Sequence, residues 1–259
     1  TSKNATLPIL AGCILCEKQI ILHKFPKYED TRNMLAILEN LGAKWEFQED
    51  SVVIYPETIS KCDIPVELAS KIRSSIFSLG AIISRFKKAK VAYPGGCNIG
   101  ARPIDLHLKG LAALGVKITE RHGYIYCNGS NMKSGIISLD FPSVGATENI
   151  MLAAVKAEGT TIISNAAKEP HIVNVATFLN NMGAKITGAG TSEIRIRGVE
   201  KLHGCFTEVI PDRIETGTYI IAGAMLGENL KIENIIPDHV EALTLKLKEM
   251  GADIKIGKD

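Results

Sequence analysis

The chain has 259 residues, of which 46% are hydrophobic and 22% charged, and its formal net charge at pH 7 is +2. This composition is that of a globular protein, and the length allows one or two domains. The small charge argues against nucleic acid or a membrane surface as a partner, and the lack of an apolar run of about 18 residues argues against a membrane-spanning helix.

Four similar units follow one another along the chain. Each contains an amphipathic helix pattern, a glycine and an alternating run of residues, in the sequences LENLGAKWEF, LAALGVKITE, LNNMGAKITG and LKEMGADIKI. The four glycines, Gly42, Gly115, Gly183 and Gly251, recur at a spacing of about 70 residues. A glycine between a helix and a strand is typical of the position just after a helix end.

The elements of one unit are predicted in the order β-α-β-α-β-β. The first unit starts directly with a helix (ATLPILAGCILCE) and a strand (QIILHKFP), so its leading strand is missing. Leading strands are predicted later at CDIPV, GIISLD and FTEVIPD, and further strands at KIENIIP and GADIKI. Alternating strands and helices predict an α/β fold. Three units form a first domain over residues 1–205, and residues 206–259 begin a second, incomplete domain, so we expect a fragment of a longer chain.

The second unit carries an insertion of a few residues, occupied by GGCNIGAR within the stretch PGGCNIGARP from Pro94 to Pro103. Its glycines let a ligand approach the backbone closely, and a loop added to a repeated scaffold is a common place for function. We expect Cys97 in this loop to be exposed, with Arg102 favouring its thiolate. Two interpretations remain open, a functional thiol or a surface loop with an incidental one.

Polar residues recur at the starts of the apolar helices. Lys3 and Asn4 begin the first, Arg73 lies near the matching start in the second unit, and PSVGATEN begins that of the third. Because helix N-termini attract anions, we expect these starts, together with Arg102, to form one anion site. Ordinary helix caps and solvated charges are the alternative. His107, in the helix after the loop, is either a further polar partner of this site or a helix-surface histidine.

The six cysteines are scattered, which favours a reducing, cytoplasmic setting over a disulfide framework. Cys13 and Cys16 form a C-x-x-C motif within an apolar helix pattern, so buried core thiols are predicted rather than redox or metal chemistry. The histidines lack the spacing of metal ligands, and the sequence has neither a Walker A loop nor a Rossmann glycine motif. No metal and no cofactor are therefore predicted, and the first residues lack a secretory signal pattern.

The segments SKNATLPIL, PGGCNIGARPIDLHLKGL, PSVGATENIMLAAVKAEGTTIISNAAKEPHIV and PDRIETGTY together resemble the UDP-N-acetylglucosamine 1-carboxyvinyltransferase family. The resemblance extends over nearly the whole chain. It implies the inside-out α/β barrel of enolpyruvyl transferases, with helices inside and sheets outside. It also implies transfer of the enolpyruvyl group of phosphoenolpyruvate to the sugar 3-hydroxyl with release of phosphate, the first committed step of peptidoglycan synthesis.

The same resemblance implies site residues. Cys97 matches a mobile-loop cysteine that acts as a general acid and is alkylated by fosfomycin, while Lys3 and Arg102 match residues that grip phosphoenolpyruvate. Asn4 matches a ligand-contacting asparagine, and Arg73 matches a residue near the nucleotide sugar. The other candidates match segments that hold UDP-N-acetylglucosamine, and they are Pro103, Ile104, Asp105, Leu106, His107, Ser143, Val144 and Gly145.

In this family the carboxylate that deprotonates the sugar hydroxyl and a further arginine lie beyond Asp259, and an acidic residue is expected near His171. Three functions stay open: the UDP-N-acetylglucosamine enolpyruvyl transferase, a truncated non-catalytic module that binds UDP-N-acetylglucosamine or a partner protein, and 3-phosphoshikimate 1-carboxyvinyltransferase, against which the cysteine loop argues. We expect only the two small-molecule substrates as partners, neither nucleic acid nor membrane, and a monomer or weak oligomer.

Overall fold

The structure, a computed structural model, describes residues 1–96, 100 and 103–257. The chain divides into two compact units, one from Lys3 to Val209 and one formed by Ile210–Asp259 with Thr1–Ser2. The α-helices within the described ranges are α1 (Lys3–Gly12), α2 (Glu29–Leu41), α3 (Val66–Ala69), α4 (Phe77–Phe86), α5 (Asp105–Ala113), α6 (Val144–Ala154), α7 (Pro170–Asn181), α8 (Arg213–Leu226) and α9 (Glu241–Glu249).

The strands of the described residues all belong to the Lys3–Val209 unit, and they form three sheets of four strands each. They are β1 (Ile20–His23), β2 (Lys44–Gln48), β3 (Ser51–Tyr55), β4 (Asp63–Ile64), β5 (Lys88–Ala92), β6 (Lys117–Arg121), β7 (Tyr124–Asn128), β8 (Ile136–Ser138), β9 (Thr160–Ser164), β10 (Lys185–Thr187), β11 (Glu193–Arg197) and β12 (Phe206–Glu208). The strand orders are β12-β1-β3-β2, β4-β5-β7-β6 and β10-β11-β9-β8.

Each sheet contains one parallel pair, and its other neighbours are antiparallel. In the second and third repeats the leading strand pairs in parallel with the strand after the buried helix, β4 with β5 and β8 with β9. In the first sheet, β12 pairs in parallel with β1, with Phe206 opposite Ile21. The leading strand that the first repeat lacks is thus supplied by the sequence FTE. Residues 206–208, assigned from the sequence to the second domain, lie in this first compact unit.

Three apolar helices, α1, α4 and α6, lie at the centre of the Lys3–Val209 unit and pack against one another. All residues of α6 from Ala146 to Ala154 are buried, whereas β11 alternates exposed and buried residues. Helices inside and sheets with one solvent-facing side confirm the predicted α/β arrangement, although the three sheets of the described residues do not join into a closed barrel. No helix in the described ranges is long and apolar enough to cross a membrane.

The four repeat glycines occupy equivalent backbone positions. Gly42, Gly115, Gly183 and Gly251 have φ values of 113°, 84°, 96° and 99°. Each follows the end of a helix, α2, α5, α7 or α9. Side chains rarely adopt this left-handed conformation, which explains why glycine returns at this place in every repeat. The repeat predicted from the sequence is therefore confirmed in the backbone.

The unit that starts at Ile210 contains α8 and α9. Asp212 caps α8, because its Oδ1 accepts hydrogen bonds from the N–H groups of Ile214 at 2.8 Å and Glu215 at 3.3 Å. The strands predicted at KIENIIP and GADIKI are not formed among the described residues of this unit. That prediction was wrong, because strands need neighbours that satisfy their backbone groups and this unit offers them none in its described part.

Candidate active site

The first turn of α1 carries two of the candidate residues. Lys3 begins the helix, and its Nζ forms an ion pair with Oδ2 of Asp30 in α2 at 2.8 Å. The two side chains are 42% and 37% exposed, so water screens the pair and its contribution to stability is at most about 1 kcal/mol. Its effect is therefore on position, because it directs the Lys3 ammonium toward the start of α2. Asn4 is half-buried beside it.

Both ends of the inserted loop are bound to the segment that precedes α4. At the first end, Gly96 N–H donates to the carbonyl of Ser70 at 3.2 Å, and a Cβ on Gly95 would lie 1.8 Å from the same carbonyl oxygen. At the other end, Nη2 of Arg73 donates to the carbonyl oxygen of Pro103 at 3.0 Å. The glycine pair is thus required for close packing of two backbones, and Arg73 holds the point where the loop returns to the fold.

The predicted general acid, Cys97, and the predicted phosphoenolpyruvate-binding residue, Arg102, lie outside the described residues. Their roles stay predictions, as does the anion site expected from the helix starts. The neighbours of these two residues in the described part of the chain are Gly96, which precedes Cys97, and Pro103, which follows Arg102.

The segment after the loop is anchored by alternate side chains. Ile104 (7% exposed) and Leu106 (5% exposed) are buried in the core, whereas Pro103 and Asp105 are exposed. Because the side chains of Ile104 and Leu106 point into the core, any ligand contact by these two residues has to use their backbone groups. The exposed side chain of Asp105 can face a ligand as well.

His107 is buried rather than on the helix surface, with 7% of its surface exposed. Its ring stacks on Phe77 with centroids 6.4 Å apart, and it lies against Gly145, where a Cβ would come within 2.9 Å of both Nε2 and Cε1. Burial lowers the pKa of His107 to about 4, with Arg73 acting in the same direction and Asp105 opposing them. The imidazole is therefore neutral at physiological pH.

The start of α6 is the third part of the candidate site. Ser143 is its N-cap, and the Ser143 Oγ accepts a hydrogen bond from the N–H of Ala146 at 3.3 Å. Val144 and Gly145 follow, with the N–H groups of a first helical turn that have no partner inside the helix. Such a helix start attracts anions through these N–H groups and the helix dipole. The contact between Gly145 and His107 joins this helix start to the segment after the loop.

The structure brings together four of the predicted residues through direct contacts: Arg73 with Pro103, and His107 with Gly145. Within the described part of the chain, no hydrogen bond or ion pair links Lys3 or Asn4 to these four. Lys3 and Asn4 begin α1, Arg73 lies in the turn just before α4, and Gly145 lies in the first turn of α6. These four residues therefore occupy equivalent places in the three repeats, at the start of a central helix, whereas Pro103 and His107 belong to the segment after the loop.

Two residues important to this frame were missed from the sequence. Asn149 on α6 is fully buried, and its side chain bonds both to His107 and to the backbone of Gly80 in α4. The available signal was the run of polar residues Thr147, Glu148 and Asn149 within a helix that is otherwise apolar. Asp30, the partner of Lys3, gave no signal, because acidic residues in the first turn of a helix are common.

An acidic side chain from another helix lies close to His171. Oε1 of Glu148 on α6 lies 3.7 Å from Nε2 of His171, too far for a hydrogen bond, and this oxygen has no hydrogen-bond partner among the described residues. Glu148 is 1% exposed. Burial, followed by the charge of Glu169, raises the pKa of Glu148 well above its usual range. Burial inside the fold therefore favours the neutral form of Glu148.

The thiols of the described residues are unpaired. Cys13 and Cys16 are buried in the core, as predicted, and burial raises the pKa of both. Burial also raises the pKa of Cys127 to about 12 and that of Cys205 to about 11. These four thiols are poor nucleophiles at neutral pH. In the described ranges no three side chains of the metal-binding types form a cluster.

This chain is similar in sequence to one family model and to curated proteins of known name. The family model for EPSP synthase (3-phosphoshikimate 1-carboxyvinyltransferase) matches residues 1–259. UDP-N-acetylglucosamine 1-carboxyvinyltransferase 2 of Caldanaerobacter subterraneus subsp. tengcongensis is 51% identical over 258 residues, which are 100% of this chain and 62% of the relative. The Bacillus subtilis protein of the same name is 46% identical and is covered to 60%. The chain thus spans about 60% of the length of these curated relatives.

Solved structures show the same fold at low sequence identity. The enolpyruvyl transferase NikO from Streptomyces tendae superposes with a TM-score of 0.82 at 22% identity, covering 99% of this chain and 62% of that one. An EPSP synthase from Acinetobacter baumannii superposes with a TM-score of 0.74 at 20% identity, covering 99% and 59%. The predicted resemblance in sequence and fold is confirmed by these matches.

Proposed function

Because this chain belongs to the EPSP synthase family, we propose that its protein transfers the enolpyruvyl group of phosphoenolpyruvate to the 3-hydroxyl of UDP-N-acetylglucosamine and releases phosphate. One observation carries the choice of sugar acceptor: the relatives at 46–51% identity over the whole chain are UDP-N-acetylglucosamine 1-carboxyvinyltransferases. The EPSP synthase structures share only 20–21% of its residues. This reaction would be the first committed step of peptidoglycan synthesis, in the cytoplasm.

The proposed reaction has two steps. In the first, the Cys97 thiol gives its proton to the methylene carbon of phosphoenolpyruvate while the sugar oxygen bonds to the neighbouring carbon and the hydroxyl proton passes to a base. In the second, the bond from that carbon to the phosphate oxygen breaks, phosphate leaves, and the methyl group returns a proton to restore the double bond. Lys3 and Arg102 hold the phosphate and carboxylate of phosphoenolpyruvate, and Asn4 contacts the bound ligands.

The nucleotide sugar is proposed to lie along the frame that the structure describes. The backbone from Pro103 to Leu106, anchored by its buried side chains, would face one part of it. The start of α6, from Ser143 to Gly145, supplies N–H groups suited to its diphosphate. Arg73 would support both, because it binds the carbonyl of Pro103.

The domain assignment is part of this proposal. The first domain of a two-domain enzyme, expected from the sequence over residues 1–205, would extend to Val209, because β12 pairs with β1. The second domain would begin after Val209. The base for the sugar hydroxyl and a further arginine would belong to segments of the relatives that this chain does not match. We also propose a monomer or weak oligomer without nucleic-acid or membrane partners.

A second candidate is a non-catalytic module of the same fold that binds UDP-N-acetylglucosamine or a partner protein. The observation in its favour is that the chain spans only about 60% of the relatives it matches. Against it stands the presence of Lys3, Cys97 and Arg102 in one sequence. The third candidate, 3-phosphoshikimate 1-carboxyvinyltransferase, has the name of the family model in its favour.

Phosphate release tests the proposal. The assay uses the chain completed with the segments of the Caldanaerobacter relative that it does not match, here called the completed chain. We expect phosphate release from phosphoenolpyruvate that depends on UDP-N-acetylglucosamine, and loss of at least 100-fold in rate for Cys97→Ser. Fosfomycin should add once, on Cys97, the thiol that the resemblance assigns to it. Burial raises the pKa of Cys13, Cys16, Cys127 and Cys205, so these four thiols are poor competitors. A completed chain that binds UDP-N-acetylglucosamine without releasing phosphate would favour the non-catalytic module.

A further inference from the structure

The side chain of Asn149 joins three helices inside the core. It lies on α6 and is 0% exposed. Its Oδ1 is 2.8 Å from the backbone nitrogen of Gly80 in α4, and its Nδ2 is 3.1 Å from Nδ1 of His107 in α5. A Cβ on Gly80 would lie 2.5 Å from Oδ1, so the approach of the two helices depends on glycine there.

The chemistry of these partners fixes the orientation of the amide. The backbone N–H of Gly80 can only donate a hydrogen bond, so its partner on Asn149 has to be the carbonyl oxygen. The amide NH₂ group of Asn149 is then the atom that faces His107. An amide NH₂ can only donate, so Nδ1 of His107 has to accept. The orientation follows from the backbone donor and needs no assumption about the imidazole.

The tautomer of His107 follows in turn. A neutral imidazole carries one proton, and Nδ1 cannot carry it while it accepts from Asn149. The proton therefore lies on Nε2. Protonation of both nitrogens would place an N–H of the ring against the NH₂ of Asn149, and these two donors cannot bond to each other. This contact therefore disfavours the charged ring, as does the burial that lowers the pKa of His107.

The Nε2–H of this tautomer is directed at the start of α6. Nε2 is 2.9 Å from the position that a Cβ on Gly145 would take, and no acceptor among the described residues binds it. His107 is 93% buried, since 7% of its surface is exposed. A donor on a nearly buried side chain, beside the N–H groups of a first helical turn, is a place where an oxygen of a ligand can bind.

We infer that Asn149 is a positioning residue that holds His107 as the Nε2–H tautomer, so that Nε2–H donates to a diphosphate oxygen of the nucleotide sugar at the start of α6. The inference rests on the proposed function for the identity of the ligand. The tautomer itself depends only on the structure. Asn149 touches no substrate in this arrangement, and its effect on binding passes through His107.

The tautomer is tested first, in the 259-residue chain without ligand. Long-range ¹H–¹⁵N correlation spectra of the ¹⁵N-histidine-labelled chain distinguish a ring nitrogen that carries a proton from one that does not. We expect Nδ1 of His107 to be unprotonated and Nε2 protonated at pH 7. A protonated Nδ1 in the unaltered chain would overturn the inference, and this measurement needs no variant.

The variant Asn149→Asp reverses the polarity at one contact and keeps the other. A carboxylate still accepts from Gly80 N–H, but it accepts from Nδ1–H as well, so we expect the single proton of His107 to move to Nδ1 and leave Nε2 without one. Asn180→Asp is the matched control, because Asn180 also bridges a donor and an acceptor, the N–H and carbonyl of Ile186 at 2.9 Å each. His107 signals unchanged in Asn149→Asp would overturn the inference, as would the same change in Asn180→Asp.

Binding is tested in the completed chain. For Asn149→Asp we expect KM for UDP-N-acetylglucosamine to rise about tenfold or more, from loss of a donor to a charged group, with KM for phosphoenolpyruvate nearly unchanged. An equal rise in both, or none, would contradict the role of His107 in holding the nucleotide sugar. If the completed chain releases no phosphate with UDP-N-acetylglucosamine, the proposed function fails, while the tautomer result in the 259-residue chain stands by itself.

Discussion

Burial decides what the titratable side chains of the Lys3–Val209 unit can do. His107 on α5 and Glu148 on α6 have almost no contact with solvent, and burial favours the neutral form of each. A neutral histidine can donate one hydrogen bond and accept another, which suits a residue that holds a ligand. Lys3, by contrast, forms an ion pair with Asp30 but stays partly exposed. Its ammonium group is therefore accessible to an incoming anion.

At this scale we predict a specific dependence of stability on pH. His107 has a folded-state pKa of about 4, below the unfolded value of about 6.5. Between these values the unfolded chain binds more protons, so the free energy of unfolding falls as pH falls through that window. The loss from this group reaches on the order of 3 kcal/mol near pH 4.

Urea unfolding at pH 7 and at pH 4.5 measures this effect. The wild-type chain should lose more stability over this range than His107→Gln, which retains a polar side chain but does not titrate. Arg73 lowers and Asp105 raises the pKa of His107, so both are kept in the two proteins compared. An equal loss in the two proteins would contradict the assignment of His107 as a buried neutral group.

At the scale of elements, the crossing of α4 and α6 carries the frame of the site. Gly80 allows the two helices to approach, because a Cβ there would lie 2.3 Å from the backbone oxygen of Asn149. An alanine in place of a helical glycine usually stabilises a protein by about 1 kcal/mol. Here we expect the opposite sign, with Gly80→Ala destabilising the fold by about 1–3 kcal/mol, since a backbone oxygen cannot move aside.

Denaturant unfolding of Gly80→Ala checks this sign. Gly135→Ala is the control, because its Cβ would have Ala113 O at 3.5 Å as its nearest contact, an ordinary distance. The control should be neutral or slightly stabilised. A Gly80→Ala protein as stable as the wild type would show that α4 and α6 can separate without cost, and would weaken the fixed geometry of Asn149.

At the scale of the whole molecule, the last strand of the Lys3–Val209 unit pairs with its first strand in one sheet. β12 pairs with β1 over three residue pairs, from Phe206 to Glu208. We predict that a fragment of residues 3–209 is more stable than a fragment of residues 3–205, by about 2 kcal/mol or more, because the shorter one loses these hydrogen bonds and exposes the edge of β1. Thermal unfolding compares them, and equal melting temperatures would contradict the boundary at Val209.

Features that depend on local conformation could be predicted from the sequence, and features that depend on distant partners could not. Helix ends and repeats were predicted correctly because Gly42 and its three equivalents depend on local backbone conformation. The place of β12 was not, because its partner β1 lies near the other end of the unit and pairing is not a local property. Likewise Lys3 and His107 could be named as candidates from position and motif, whereas Asn149 and Asp30 are recognised only by partners distant in sequence.

The most direct test of the proposed function is a competition between acceptors. The completed chain is incubated with phosphoenolpyruvate and equal amounts of UDP-N-acetylglucosamine and 3-phosphoshikimate, and the products are identified by mass spectrometry. We expect the enolpyruvyl group on UDP-N-acetylglucosamine alone, with one phosphate released for each product. Enolpyruvyl transfer to 3-phosphoshikimate in preference to UDP-N-acetylglucosamine would contradict the proposed function.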